Sequence, residues 1–257
     1  MNFHEYLTHN KEVIDKQVPG WFYTIDIILL YGILNEIQGN IRGDICEVGV
    51  AHGKSAITLS HFKRPEDTLY LYDIFNEDVR KQAESNILMF CGPQNLVWRI
   101  QNTLDIKQDE LKFDNSLRLL HIDGCHEYSA VMNDLMLFSQ AVSNRGVIVL
   151  DDFNDYEYPG VNAAVYDFIN SRSNFKNWRI FAVGNNKAYM CQKHMMNYYQ
   201  TSAIEYIELA KKEMGISFPI PMCLREMKDT NVLLVESRED WTLDQLRVKL
   251  YHKPRIG

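Results

Sequence analysis

From Asp44 onward, the chain alternates short apolar runs rich in β-branched residues with stretches of helical character. This alternation predicts an α/β fold, in which a parallel sheet carries helices on both faces. Seven runs have the length and composition of strands: DICEVGV, TLYLYDI, LVWRI, LRLLHID, GVIVLDD, WRIFAVG and KAYMCQ. The helices between them are expected to begin near Lys54, Asp78, Leu104, Tyr128 and Asn162.

The last two strand-like runs are joined by GNNK, a short turn in which glycine and asparagine readily adopt positive φ. We therefore expect an antiparallel hairpin that closes one edge of the sheet. The strand–helix region as a whole occupies residues 44–193.

Two segments flank this region. Residues 1–43 are interpreted as a helical cap, with WFYTIDIILLYGILNEI as its strongest stretch. In the extension of residues 194–257, TSAIEYIELAKKEMG predicts a helix, NVLLVES an additional strand and WTLDQLRVKLYHKP an amphipathic tail. This extension is expected to serve as a lid over the site, as an oligomer contact or as packing onto the core.

Charge and composition exclude several function classes. The net charge of −7 and the pI near 5.6 argue against nucleic acid and anionic membranes as partners, because both need a basic face. No apolar run approaches the roughly 20 residues of a membrane span, and the polar N-terminus lacks the pattern of a secretory signal. The five scattered cysteines form no CxxC pair, so we expect reduced thiols in a cytoplasmic protein.

A glycine-containing turn follows the first predicted strand. The segment CEVGVAHGKS has the pattern E-x-G-x-x-x-G, with Gly49 and Gly53 between strand and helix. A nucleotide above the carboxyl ends of the strands needs such a turn, because side chains there would block it. Ala51 stands where a dinucleotide-binding fingerprint has its second glycine. Glu47 suits a cofactor with a positive amino group, such as the amino-acid end of S-adenosylmethionine. A purely structural role for the glycines is the alternative.

Polar residues also end the second and third predicted strands. Asp73 ends the strand in LYLYDIF and is placed to accept the hydroxyls of an adenosine ribose, with capping of the next helix as the alternative. Asn102 or Thr103 is expected near the adenine, unless Thr103 only caps a helix. The predicted cofactor-binding residues are Glu47, Gly49, Gly53, Lys54, Ser55, Asp73, Ile74, Asn102, Thr103 and Asp123.

Two predicted strands end on carboxylates, one on Asp123 and the other on Asp151 and Asp152. Adjacent parallel strands lie about 4.8 Å apart, so these three side chains, which we call the acid edge, should lie together. Crowded carboxylates repel, and a divalent cation such as Mg²⁺ relieves the repulsion and can bind vicinal hydroxyls of a substrate. We therefore predict a Mg²⁺ site. In the alternative, Asp152 caps a turn and Asp151 binds backbone amides.

His126 follows Asp123 by three residues, within reach of a substrate at the acid edge. Because imidazole titrates near neutral pH, we predict that His126 is a general base for a hydroxyl, with Asp123 as the second catalytic residue. His121 lies inside the strand and is expected in the core, while His52 in the glycine turn is expected to contact only cofactor. Cys125 has no neighbour that would activate it as a nucleophile.

Four segments together resemble class I S-adenosylmethionine-dependent methyltransferases: EVGVAHGKS, LYLYDIF, LHIDGCHEYSAVMNDL, and GVIVLDDF followed by YPGVNAAVYDF. The similarity is greatest to the branch of macrocin-type sugar O-methyltransferases and covers residues 20–192. The combination of motifs is specific, whereas each motif alone is not. The resemblance implies a Rossmann-like, doubly wound sheet of seven strands with an antiparallel last strand and the cofactor over its carboxyl edge.

The resemblance also implies roles for particular residues. Related catechol-type enzymes carry a lysine base three residues after the first metal-binding aspartate, and His126 occupies that spacing here. Many relatives have DGDH where this chain has DGCH, so Cys125 replaces one acidic group. The residues implied at the cofactor are Glu47, Gly49 and Asp73, and those implied near Mg²⁺ in the metal-dependent members are Asp123, Asp151 and Asp152.

The predicted acceptor is a sugar. Tyr156 and Tyr158 lie beside acidic residues in the loop FNDYEYPG. Aromatic rings can pack against the CH patches of a sugar, and carboxylates can bind its hydroxyls. An ordinary surface loop is the alternative. Trp21 is expected to form another wall of the site, unless it packs in the core. The predicted activity is methyl transfer from S-adenosylmethionine to a sugar hydroxyl. A deoxyhexose such as rhamnose, within a glycan or as a nucleotide sugar, is the leading acceptor.

Three other functions stay open from the sequence alone. A catechol-like phenol or another small natural product would keep the chemistry and change the acceptor. A nicotinamide-dependent oxidoreductase would prefer NAD to S-adenosylhomocysteine. A non-catalytic binding module would bind cofactor without turning it over.

Overall fold

The computed structural model describes residues 3–171, 176–213, 220–227 and 229–236. In chain order the strands are β1 Asp44–Val48, β2 Leu69–Asp73, β3 Leu96–Ile100, β4 Leu117–Ile122, β5 Val142–Leu150, β6 Trp178–Val183, β7 Ala188–Gln192, β8 Met222–Met227 and β9 Thr230–Val235. They form one nine-stranded sheet of order β3-β2-β1-β4-β5-β7-β6-β9-β8. The predicted α/β fold is confirmed.

Helices cover both faces of this sheet. The helices are α1 Phe3–His9, α2 Asp15–Gln17, α3 Thr24–Tyr31, α4 Lys54–Phe62, α5 Glu77–Cys91, α6 Tyr128–Phe138, α7 Pro159–Asn170 and α8 Met196–Glu213. The π-helical turns Asn10–Ile14 and Gly32–Ile37 continue α1 and α3. Helices α3, α4 and α8 pack on one face, and α6 and α7 pack on the other. Strand β1 shows the corresponding alternation, with Ile45 in the first layer and Cys46 in the second.

The sheet has two more strands than the seven that the resemblance implies, and its edge is a different strand from the predicted one. Strands β1 to β5 are parallel, and β7 runs antiparallel to both β5 and β6, as the GNNK turn predicts. However, this hairpin does not close the sheet, because β9 pairs with β6 and β8 pairs with β9. NVLLVES indicated β9, whereas β8 gave no strand signal because Arg225 and Glu226 interrupt its apolar pattern.

The prediction of a helix beginning near Leu104 is wrong. Only the short 3₁₀ turn Thr103–Asp105 forms there. The residues that follow, IKQDELKFDNS, do not present apolar side chains at helical spacing, so a helix would have no face to bury.

The described part of the C-terminal extension packs onto the core. Helix α8 buries Tyr199, Ala203 and Ile207, which are spaced four residues apart and so share one face. A Cβ at Gly32 would lie 2.6 Å from the ring of Tyr206, so α8 approaches the helical cap closely. The amphipathic tail WTLDQLRVKLYHKP and the predicted helix stop at Gly215 lie outside the described residues. Within the described ranges, no helix is both long and apolar enough to cross a membrane.

Candidate active site

The turn after β1 depends on glycine for two different reasons. Gly49 has a φ of 85°, and a Cβ there would lie 1.9 Å from the carbonyl oxygen of Asp123. Gly53 has a φ of 83° but would place a Cβ only in ordinary contact with Ala83. Gly49 is therefore required by the close approach of the chain after β4, and Gly53 by its left-handed backbone. Because neither glycine carries a side chain, both leave the carboxyl end of β1 uncovered.

Asp73 holds the glycine turn. Its Oδ2 accepts hydrogen bonds from the backbone N–H groups of Val50 at 2.7 Å and Ala51 at 2.9 Å. Asn76, not Asp73, caps α5, because its side chain accepts from the N–H of Val79. Asp73 therefore does not cap α5, and that alternative is wrong. The Asp73 carboxylate lies at the carboxyl edge of the sheet, as predicted. The neighbouring Ile74 is largely exposed there.

Glu47 and His121 form a pair that is fully buried beneath this edge. Glu47 Oε1 lies 2.8 Å from His121 Nδ1. Glu47 Oε2 and His121 Nε2 have no hydrogen-bond partner among the described residues. A buried carboxylate oxygen without a donor is costly, and the ammonium group of a bound S-adenosylmethionine would satisfy it. The residues of this edge therefore fit that cofactor.

The loop after β3 is fixed by its own contacts. Asn102 Oδ1 accepts from the N–H of Leu104 and so caps the short turn. The carbonyl of Thr103 accepts from Asn133 Nδ2 at 3.1 Å. Burial raises the pKa of Asp134 to about 6, although a hydrogen bond from the Thr103 side chain acts in the opposite direction and lowers it. Thr103 therefore ties this loop to α6, and an adenine contact from this loop stays a prediction.

Lys54 and Ser55 are both buried at the start of α4. The ammonium of Lys54 lies 2.5 Å from Asp15 Oδ1 and 2.5 Å from the carbonyl oxygen of Gly20. Lys54, which the sequence predicts at the cofactor, therefore binds groups of the helical cap. These contacts hold the cap beside the glycine turn.

The acid edge forms as predicted. The N–H of Asp123 donates to the carbonyl of Val48, and the N–H of Asp151 donates to that of Ile122, so the ends of β1, β4 and β5 are aligned. Burial and the neighbouring Asp151 raise the pKa of Asp123 well above its ordinary value. For Asp151, burial would raise the pKa, but the Lys187 ammonium outweighs it and the pKa is lowered.

His126 and Asp152 form the exposed half of the site. His126 Nε2 lies 2.9 Å from Asp152 Oδ2, and the imidazole ring packs 4.1 Å from the ring of Tyr158. The hydrogen bond to Asp152 raises the pKa of His126. The His126 side chain is 34% exposed, so a substrate can reach it. Asp152 itself has a φ of 55°, and its Oδ1 accepts from Asn186 Nδ2 at 3.3 Å.

Lys187 is a site residue that sequence reasoning missed. It lies in the turn between β6 and β7, is almost fully buried, and forms an ion pair with Asp151 Oδ2. Its ammonium also lies 4.9 Å from the centre of the Phe22 ring. The hairpin predicted from GNNK was the only sequence signal, because no spacing links a lysine to an aspartate 36 residues earlier.

Among the residues that the structure describes, two groups of side chains place potential ligand atoms close enough together to hold a divalent cation. The potential ligand atoms of Asp123, His126 and Asp152 lie within 4.8 Å of one another, and so do those of His121, Asp123 and Asp151. Asp123 belongs to both groups. The aspartate oxygens of each group suit Mg²⁺, and each group also includes one histidine nitrogen.

The predicted substrate residues differ in their surroundings. Tyr158 contacts His126 directly. Tyr156 is 88% exposed, and its hydroxyl donates to Glu157 at 3.0 Å. Trp21 is 89% exposed, so the alternative of core packing for this residue is wrong.

Sequence comparisons point to one kind of domain. Residues 46–153 match a family model described as a methyltransferase domain. The "Uncharacterized protein R132" of Acanthamoeba polyphaga mimivirus is 41% identical over 58 residues. This match covers 21% of this chain and only 26% of the length of that curated relative.

Solved structures with the same fold include two O-methyltransferases. The O-methyltransferase NovP is 17% identical with a TM-score of 0.54, over 66% of this chain and 80% of that one. CalS11, described as a TDP-rhamnose 3'-O-methyltransferase of calicheamicin biosynthesis, is 14% identical with a TM-score of 0.53, over 74% of this chain and 93% of that one. Residues 46–153 therefore match a methyltransferase domain, within a chain that has the same fold as these two O-methyltransferases.

Proposed function

We propose that this protein transfers the methyl group of S-adenosylmethionine to a hydroxyl of a sugar acceptor. The observation that carries the proposal is the accessible imidazole of His126, which Asp152 holds at the carboxyl edge of a methyltransferase domain. A deoxyhexose such as rhamnose is the proposed acceptor, within a glycan or as a nucleotide sugar. The likeness in fold to CalS11, which is described as acting on TDP-rhamnose, supports this choice.

Several side chains would hold the cofactor. Glu47 would take its ammonium group with the unpartnered Oε2, and Asp73 would accept ribose hydroxyls beside the turn at Gly49. Bound S-adenosylmethionine supplies a methyl group that is already activated by its sulfonium. Positioning of the acceptor then contributes much of the rate acceleration.

His126 removes the proton of the acceptor hydroxyl in this proposal. Because its Nε2 contacts Asp152, the other ring nitrogen, Nδ1, is the atom that takes the proton. Asp152 then stabilises the imidazolium that results. Asp123 and Asp152 would hold Mg²⁺. Asp151, which the sequence also predicts as a ligand, is paired with Lys187. A bound Mg²⁺ lowers the pKa of a coordinated hydroxyl.

Aromatic side chains would form the walls for the acceptor. Tyr158 lies against the base, and Tyr156 and Trp21 present exposed rings that can cover the CH faces of a sugar ring. The acidic loop around Tyr156 offers acceptors for sugar hydroxyls.

The test is transfer of labelled methyl from S-adenosylmethionine to rhamnose-containing glycans and nucleotide sugars, with Mg²⁺ or with EDTA. We expect transfer that EDTA abolishes. Transfer that EDTA leaves unchanged would support the sugar acceptor and remove the metal from the proposal. Transfer only to catechol-like phenols would replace the acceptor, and preferential binding of NAD over S-adenosylhomocysteine in calorimetry would contradict the proposal as a whole.

A further inference from the structure

Lys187 lies below the acid edge, in surroundings that bury it almost completely. Its side chain is about 1% exposed, and its ammonium pairs with Asp151 and faces the ring of Phe22. A buried ammonium is stable only where anionic groups compensate for its lost hydration. The residues around Lys187 must therefore supply those anions.

Three carboxyl groups act on this ammonium. They are Asp151 at the end of β5, Asp26 of the helical cap and Asp123 after β4. Asp26 is fully buried and accepts a hydrogen bond of 2.6 Å from Tyr189, a residue of the same hairpin. The cation therefore joins the cap, the hairpin and the acid edge.

Both carboxylate oxygens of Asp151 already have donors. Oδ1 accepts from the N–H of Asp152 at 2.8 Å, and Oδ2 pairs with Lys187. Asp123, in contrast, contacts no cationic side chain directly among the described residues, and Asp152 pairs with the partly exposed His126 and accepts a hydrogen bond from Asn186. A divalent cation can therefore reach Asp123 and Asp152 without breaking a buried ion pair, but it cannot use Asp151 without displacing Lys187.

We propose that Lys187 is the internal counter-cation of the acid edge, a positioning residue that keeps Asp151 out of the metal coordination shell. The acid edge then keeps its shape without a divalent ion, and an ion binds through Asp123 and Asp152 alone. Fewer charged ligands and the adjacent ammonium both weaken the binding of such an ion. This inference rests on the metal site of the proposed function but not on the identity of the acceptor.

The first test measures Mn²⁺ binding by electron paramagnetic resonance, which requires no methyl transfer. Wild-type protein is compared with Lys187→Met, which removes the buried cation while keeping a long unbranched side chain, and with Lys193→Met. Lys193 is an exposed lysine that pairs with Asp229 and serves as the control. We expect Lys187→Met to bind Mn²⁺ at least about tenfold more tightly than wild type, and Lys193→Met to match wild type. Equal Mn²⁺ affinity of Lys187→Met and wild type would overturn the proposal.

Two further measurements keep the proposal testable if Lys187→Met does not fold. The double variant Lys187→Met/Asp151→Asn removes the buried ion pair without changing the net charge and should bind Mn²⁺ within about threefold of wild type, whereas Asp123→Asn should abolish binding. A large loss of affinity in the double variant would show that Asp151 is a ligand and would contradict the role of Lys187. The melting temperature of EDTA-treated wild-type protein should also stay within about 2 °C when stoichiometric Mg²⁺ is added. A rise of several degrees would mean that the ion, not Lys187, holds the edge. None of these results depends on whether a sugar is methylated.

Discussion

At the scale of single residues, the three carboxylates of the acid edge differ in their partners. Asp151 faces a buried lysine, Asp152 faces a partly exposed histidine, and Asp123 is held beside Asp151. These partners give each group a different chemical task, because a fixed buried ion pair resists rearrangement while a partly exposed pair can open. His126 is therefore the member of the site that is free to exchange partners with a substrate.

Substitution of His126 tests its role as the base. We expect His126→Ala to bind S-adenosylhomocysteine like wild type in calorimetry and to lose roughly 10²-fold or more in turnover, because proton removal is lost while Glu47 and Asp73 are untouched. His194→Ala, at an exposed position after β7, is the control and should keep full turnover. Near-normal turnover of His126→Ala would remove His126 as the base.

Asp26 predicts a pH dependence of stability. Burial raises its pKa from 3.8 to about 6 in the folded protein. A raised pKa means that the stability contributed by this carboxyl is complete below pH 3.8 and is lost as the pH rises through about 6. We expect the free energy of unfolding of Asp26→Asn, relative to wild type, to increase by roughly 1 kcal/mol between pH 5 and pH 7.5.

Urea unfolding of both proteins at the two pH values measures this difference. Asp105→Asn, at an exposed position, is the matched control and should show no such change. The same difference between Asp26→Asn and wild type at both pH values would contradict the prediction.

At the scale of elements, the site is assembled by turns rather than by the strands themselves. The turn after β1 packs its backbone against the chain after β4, and the β6–β7 hairpin brings Asn186 and Lys187 to the acid edge. Parallel strands in register bring their carboxyl ends together, so turns of different length can converge on one site.

Alanine substitutions in the turn after β1 separate steric contact from backbone strain. Gly49→Ala and Gly53→Ala both place an L side chain at positive φ, but only the first meets backbone within 2 Å. We expect Gly53→Ala to cost about 1 kcal/mol of unfolding free energy and Gly49→Ala at least about 2 kcal/mol more. Chemical denaturation of the two variants measures this, and equal losses would mean that the chain after β4 moves aside.

At the scale of the whole molecule, the helical cap is joined to the sheet by a buried cation distant from the site. The fully buried Arg118 on β4 pairs with Asp67 at 2.6 Å and donates to the carbonyl of Leu34 and the side chain of Gln38 in the cap. The cap is therefore a structural part of the domain, and at its other end it carries Asp26 and Phe22 to Lys187.

Loss of this cation should destabilise the whole fold. We expect Arg118→Met to lower the free energy of unfolding by about 3–5 kcal/mol, because Asp67 and the cap acceptors stay buried without it. Arg179→Met removes a partly exposed ion pair with Asp229 and should cost at most about 1 kcal/mol. Thermal or urea unfolding distinguishes the two, and similar losses would contradict a structural role for the Arg118 network.

The sequence by itself determined the α/β class, the order of the first five strands along the chain and the residues at their carboxyl ends. These follow from local patterns, because strand period, glycine turns and strand-terminal acids are all encoded within a few neighbouring residues. Local patterns alone therefore place Asp73, Asp123, Asp151 and Asp152 at the carboxyl edge of the sheet.

Only the tertiary structure decided which partner each of these acids has. Lys187, Asp26 and Glu47 come from three distant parts of the chain, and pairing and burial select their neighbours. The sequence predicted strand β9 but not strand β8, and it could not place either of them beside β6, since that place depends on which edge the hairpin leaves unpaired. Long-range packing fixes these contacts, and no local pattern in the sequence encodes that packing.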